Sequence, residues 1–98
     1  MSEEVIRVRM PREGEIIGKV LEMLGADRLM VECEDGNERI VRIPGKLKKR
    51  AWVRKGDFII VKPWEIGGDK RGDMVWRYNK NQIDFLREKG LIRRLSVD

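Results

Sequence analysis

Residues 42–55, RIPGKLKKRAWVRK, hold seven positive side chains, no acidic one and a tryptophan. The cations are Arg42, Lys46, Lys48, Lys49, Arg50, Arg54 and Lys55, with Trp52 set among them. Like charges this dense repel one another, and within the run no carboxylate stands three or four residues away to relieve them. A polyanion would relieve them. Lys and Arg neutralise phosphates with release of counterions, and an aromatic ring stacks on an unpaired base for about 1–3 kcal/mol. Phosphate contact is therefore the chemistry that the cations suit, while Trp52 is expected either to stack on a base or to anchor the loop to the barrel. A merely solvated helix face would carry paired acids, and this run has none and follows a Pro44-Gly45 turn.

The rest of the chain sharpens the contrast. Of 98 residues, 22 are Lys or Arg and 17 Asp or Glu, a net charge of +5. Outside residues 42–55, fifteen basic residues face seventeen acidic ones, so the whole positive excess sits in that stretch. Segregation of this kind reads as a footprint for a polyanion. The chain has no histidine, which removes the commonest general base and the commonest metal ligand together. A single cysteine, Cys33, excludes an internal disulfide, and its place in the alternating LMVEC suits a small core residue. Asp69 and Asp73 in GGDKRGD are expected as turn formers rather than Mg²⁺ ligands. That stretch also lacks the strand–loop–helix context and Lys-Ser/Thr ending of a phosphate-binding loop. Neither an enzyme nor a cofactor or metal is expected.

These side chains must be held by one domain, since the length allows a single core. Residues 1–13 carry Arg7, Arg9 and Arg12 around Pro11 and are expected as a flexible basic arm. Residues 14–78 alternate as strands: EIIGKVLEML, RLMVECE, ERIVRI, FIIVKPW and MVWRY, with DGN at 35–37 as a hairpin signal. A helical turn is expected at KLKKR, a turn at KGD and a loop over EIGGDKRGD. Residues 79–98 supply a helix, NQIDFLREKG, capped by Asn79 with Gln82 and stopped at Gly90, and a short tail. The fold class is all-β with a C-terminal α-helix, and two five-stranded barrels compete, the OB-fold and the SH3-like barrel. The spacer between strands three and four is where the OB topology places its crossing segment, which favours a five-stranded OB-fold barrel of S1-like type. Trp64 and Trp76 are expected as core or rim packing, and Arg71, Arg77 and Lys62 on a face or rim near the basic run. OB barrels bind single-stranded or irregular nucleic acid, so RNA is favoured over duplex DNA. No run approaches the roughly 20 apolar residues of a membrane span, and the start MSEEVIRVRM is acidic where a signal peptide is basic. A cytoplasmic, monomeric protein without a membrane partner is expected.

The segments GKVLEMLGADRLMVECEDGNERIVRIPGKLKKRAWVRKGDFIIVKPWE and DMVWRYNKNQIDFLREKG resemble archaeal translation initiation factor 1A. The run IPGKLKKRAWVRKGD after a DG hairpin is the most specific part, and is similar to the basic loop of the eukaryotic factor and, more distantly, of bacterial initiation factor one. The resemblance implies an OB-fold with an added helix that binds ribosomal RNA in the A-site region of the small ribosomal subunit. It implies further that initiator methionyl-tRNA is stabilised there and that subunit dissociation is promoted. By the same resemblance Lys46, Lys48, Lys49, Arg50, Trp52 and Arg54 belong to the RNA-facing loop, with Lys55 at its end, Arg42 on the strand entering it, and Arg71 and Arg77 on an adjoining strand. The eukaryotic family's acidic C-terminal tail, which touches the GTPase factor 5B, has no counterpart in LIRRLSVD. A 5B contact would fall instead on residues 83–95. A general single-stranded RNA binder or RNA chaperone of cold-shock type is the competing reading, and would need several exposed aromatics from the six present.

Overall fold

The structure, a computed structural model, describes residues 8–48 and 53–95. Alternating apolar residues build β1 (Ile16–Met23), β2 (Arg28–Cys33), β3 (Glu38–Arg42), β4 (Phe58–Pro63) and β5 (Arg71–Arg77). Helix α1 (Gly45–Lys48) lies between β3 and β4, and α2 (Lys80–Glu88) follows β5. The strands close a barrel in the order β1-β2-β3-β5-β4, with β1 also paired to β4. Only β3 and β5 run parallel; the other pairs are antiparallel. This is the OB-fold topology, with α1 in the crossing segment.

Alternate residues of a strand face opposite sides, and β4 uses both. Ile59 and Val61 point into the barrel, where they pack with Val20, Leu29, Val31, Cys33, Val41 and Met74. Phe58 and Ile60 point outward onto a second cluster with Ile17, Tyr78, Leu86, Ile92 and Leu95. Helix α2 and the residues after it therefore cover β4 from outside. An Asn79–Gln82 capping box starts α2. It ends in a Schellman motif, with Gly90 at φ 75° and the N–H groups of Gly90 and Leu91 bonded to the carbonyls of Arg87 and Leu86. The chain then returns to the β2–β3 hairpin, where the Glu34 carboxylate accepts the backbone N–H groups of Arg93, Arg94 and Leu95.

Three features differ from the sequence reading. β5 begins at Arg71, because residues 71–73 pair in parallel with Ile40, Val41 and Arg42 and so close the barrel. Gly72 makes that approach possible, since a β-carbon there would lie 2.7 Å from Val61 Cγ1 and 2.9 Å from the Lys62 carbonyl oxygen. Next, the second half of the N-terminal arm is tied to the barrel. Val8 packs on the outer cluster, Arg9 forms a two-point pair with Glu15 at 3.0 and 3.2 Å, and the Tyr78 hydroxyl donates to the Arg9 carbonyl. The first half of the arm, residues 1–7, lies outside the described residues. Finally, of the core or rim packing expected for Trp64 and Trp76, the core half does not hold: they join neither buried cluster, and each is 39% exposed.

One buried cation braces the barrel at the β2–β3 hairpin. Arg39, 4% exposed, donates to both Asp35 oxygens at 3.0 and 2.8 Å and to the Gly68 carbonyl, joining the β2–β3 hairpin to the β4–β5 loop. That guanidinium holds the Asp35 carboxyl below its ordinary range. Burial pushes the Cys33 thiol up, so it stays protonated and packs as an apolar core residue.

Candidate nucleic-acid interface

The basic segment is held at both ends by the core. Ile43 and Val53 are buried in the barrel interior, and Leu47 of α1 packs against the same cluster. The β1–β2 turn fixes the entry, through the Ile43 N–H on the Asp27 carbonyl at 2.8 Å. The exit is fixed by β1, which exchanges bonds with Gly56 and Asp57 at 2.7 and 2.8 Å from Val20. Between these anchors the sequence carries four cations, Lys46, Lys48, Lys49 and Arg50. Arg42, Lys46, Arg54 and Lys55 are all exposed. Lys49, Arg50 and Trp52, and the side chain of Lys48, lie outside the described residues.

Tertiary structure alters the charge pattern that composition suggested. No acid occurs within residues 42–55, yet Arg42 meets Asp73 of β5 at 3.3 Å. Arg77 is paired in the same manner, with Asp57 at 3.1 Å. Asp57 also accepts the Arg54 N–H at 2.8 Å, which shapes the turn into β4. These exposed pairs are worth little to stability in water, and they orient the guanidinium groups without consuming them. Lys46 and Lys55 complete the described cations of the segment. Lys55 lines a small cleft of about 380 Å³ with Lys19, Val20, Leu21 and Gly56. A larger one, about 540 Å³, opens between the turn at Asp57, Arg77 at the end of β5, and Lys80, Ile83 and Arg87 of α2.

Arg71 stands apart from this group, on the outer surface where β5 meets β3 and β4. Its guanidinium lies 5.9 Å from the centre of the Trp64 ring. Trp64 donates its Nε1–H to Asp73 Oδ1 at 3.0 Å, and Asp73 is the partner of Arg42. Residue types alone gave Trp64 as core or rim packing. The signal that could have found it is period two: Lys62 faces outward opposite Asp73, and the next outward position is 64. Asp73, weighed in the sequence as a turn former or a metal ligand, is a strand residue engaged by Arg42 and Trp64.

Comparison with known proteins agrees with this architecture. A profile of the translation initiation factor 1A / IF-1 family matches residues 5–97. The chain belongs to that family. Translation initiation factor 1A of Methanopyrus kandleri is 51% identical over 89 residues, covering 91% of this chain and 79% of the relative. That of Archaeoglobus fulgidus is 50% identical over 94 residues, covering 94% and 96%. The factor of Methanothermobacter thermautotrophicus is 48% identical over 92 residues, covering 94% and 93%. Among solved structures, translation initiation factor one from the Wolbachia endosymbiont of Brugia malayi superposes with a TM-score of 0.53 at 24% identity, over 67% of this chain and 78% of that one. That likeness speaks to the fold, and the family's five-stranded barrel is the one described above. Among the described residues no helix is long and apolar enough to cross a membrane.

Proposed function

We propose that this initiation factor works by binding, with no bond made or broken. It seats residues 42–55, with Arg71 and Arg77, on ribosomal RNA in the A-site region of the small ribosomal subunit. From there it stabilises initiator methionyl-tRNA on the subunit and promotes subunit dissociation. It acts as a cytoplasmic monomer. The observation that carries this reading is the anchoring of the basic segment. Two core residues, Ile43 and Val53, hold its ends, and Arg42, Lys46, Arg54 and Lys55 all face solvent. A barrel that already anchors both ends of a cationic segment is suited to plugging a folded RNA groove, because those ends need no ordering on binding. Any contact with the GTPase factor 5B through residues 83–95 uses the polar outer side of α2, since Leu86, Ile92 and Leu95 are already buried against the barrel.

Co-sedimentation with purified small and large subunits, with and without initiator tRNA, tests the proposal. Binding to small subunits and not to large ones, strengthened when initiator tRNA is present, is the expected result. Equal binding to both subunits contradicts it. The exposure of Trp64 and Trp76 favours one alternative, a general single-stranded RNA binder of cold-shock type. Comparable affinity for random single-stranded RNA and for small subunits would select it.

A further inference from the structure

Trp64 is an aromatic side chain with an unusual combination of exposure and restraint. It leaves 39% of its surface in water, which is costly for so large an apolar ring. Yet it is held at two points: its backbone N–H reaches the Arg71 carbonyl at 3.0 Å, and its Nε1–H reaches Asp73 Oδ1 at 3.0 Å. Three cations stand around it. Arg71 lies 5.9 Å from the ring centre, Arg42 shares the Asp73 carboxylate, and Lys62 is the cross-strand partner of Asp73. A shallow cleft of about 450 Å³ runs beside the ring, lined by Lys62, Pro63, Trp64, Glu65 and Asp73.

We propose that Trp64 is a stacking platform for an unpaired RNA base, with Arg71, Arg42 and Lys62 placed to meet the flanking phosphates. The inference rests on the RNA-binding reading above and extends that interface from the basic segment across the outer face of β3, β5 and β4. Arg42 is the link, being both the first cation of the segment and the partner of the carboxylate that orients the indole. A base needs a flat π-face that is already fixed, because immobilising a mobile ring would spend part of the stacking energy. The Asp73 and Arg71 contacts supply that fixation. Glu65 and Asp73 disfavour a phosphate directly over the cleft, so the uncharged base occupies it and the phosphates lie at the cationic rim.

The test measures affinity for purified small ribosomal subunits at several salt concentrations for the wild type, Trp64→Phe, Trp64→Leu and Trp64→Ala, with circular dichroism to verify folding. Stacking is a non-ionic term, so its loss lowers affinity without changing the salt slope. Trp64→Leu, which keeps apolar bulk, and Trp64→Ala should both bind about 5- to 150-fold more weakly, the equivalent of about 1–3 kcal/mol, with the wild-type slope. Trp64→Phe keeps a π-face but loses the Nε1–H that Asp73 fixes, and should bind between wild type and Trp64→Leu. If Leu binds as well as Phe, bulk and not stacking is at work, and the proposal falls. If Phe loses as much as Leu, the aromatic face contributes nothing to binding, and the proposal falls again. Both outcomes leave wild-type binding to small subunits intact, whereas failure of the underlying reading would show as a wild type with no preference for them.

Discussion

Replacing Glu34 with alanine should loosen the C-terminal segment from the barrel. One carboxylate collects the backbone N–H groups of Arg93, Arg94 and Leu95, at distances between 2.9 and 3.1 Å. A hydrogen bond to a charged acceptor is worth about 1.5–3 kcal/mol when well shielded. Here Arg93 and Arg94 are exposed and their bonds compete with water, while Leu95 is 5% exposed and its bond is the best shielded of the three. Discounting the two exposed donors to a few tenths of a kcal/mol each leaves about 2 kcal/mol for Glu34→Ala. Residues of the outer cluster share that loss, because Ile92 and Leu95 cover Ile17, Phe58 and Tyr78. In a domain of this size 1 kcal/mol moves the melting midpoint by about 4–8 °C, so a fall of roughly 8–16 °C is expected. Glu34→Gln keeps one acceptor oxygen and should fall between the two. Thermal melts followed by circular dichroism give the midpoint, and amide exchange at residues 93–95 reports the local opening. A midpoint within about 2 °C of wild type, with protection at Leu95 unchanged, would refute the reasoning.

Three other outcomes follow from the same geometry. Burial pushes the Tyr78 hydroxyl up to about 12, above its ordinary 10.0, so its stabilisation is full below about pH 10 and is lost as the pH rises toward 12. Unfolding free energies from urea titrations across that range should fall more steeply for wild type than for Tyr78→Phe, by an amount reaching about 2–3 kcal/mol. Arg39 holds Asp35 below its ordinary 3.8, so the stabilisation from this pair is present above about pH 4 and is lost as the pH falls through the lowered value; Asp35→Asn should be less stable at neutral pH and show a shallower acid limb in the same titration. Gly72→Ala should cost about 1–3 kcal/mol, read from the melting midpoint, because its β-carbon meets Val61 at 2.7 Å and the Lys62 carbonyl at 2.9 Å.

The parts of this fold that follow from local pattern were legible in the sequence. Period-two alternation gave the strands, the Asn79–Gln82 pair gave the start of α2, and Gly90 its end, since each signal acts over a few residues. The misplaced start of β5 has a different cause. KRGD carries no alternation and contains glycine, and it becomes strand only because β3 pairs with it in parallel across the closed barrel. The roles of Glu34 and of the Tyr78 hydroxyl on the Arg9 carbonyl were illegible for the same reason, as the partners lie 59–61 and 69 residues apart in the chain. At the candidate interface, the exposed cations were found from charge segregation. Their partners Asp73 and Asp57 were not, because a cross-strand carboxylate contributes nothing to the local count. Residue type left Trp64 between core and rim, since aromatic residues in strand-like text are usually buried, and period two from the outward-facing Lys62 decides for the outer surface.

The salt dependence of binding to small ribosomal subunits tests the central claim most directly, with the Lys46→Ala, Lys48→Ala, Lys49→Ala triple variant set against wild type. Each phosphate contact contributes about 0.7–0.9 to the fall of log K with log salt. If the segment between Ile43 and Val53 grips ribosomal RNA, the triple variant should bind more weakly at low salt and show a slope shallower by roughly 2–3, with its thermal midpoint unchanged. The same affinity and the same slope in the folded variant would contradict the account.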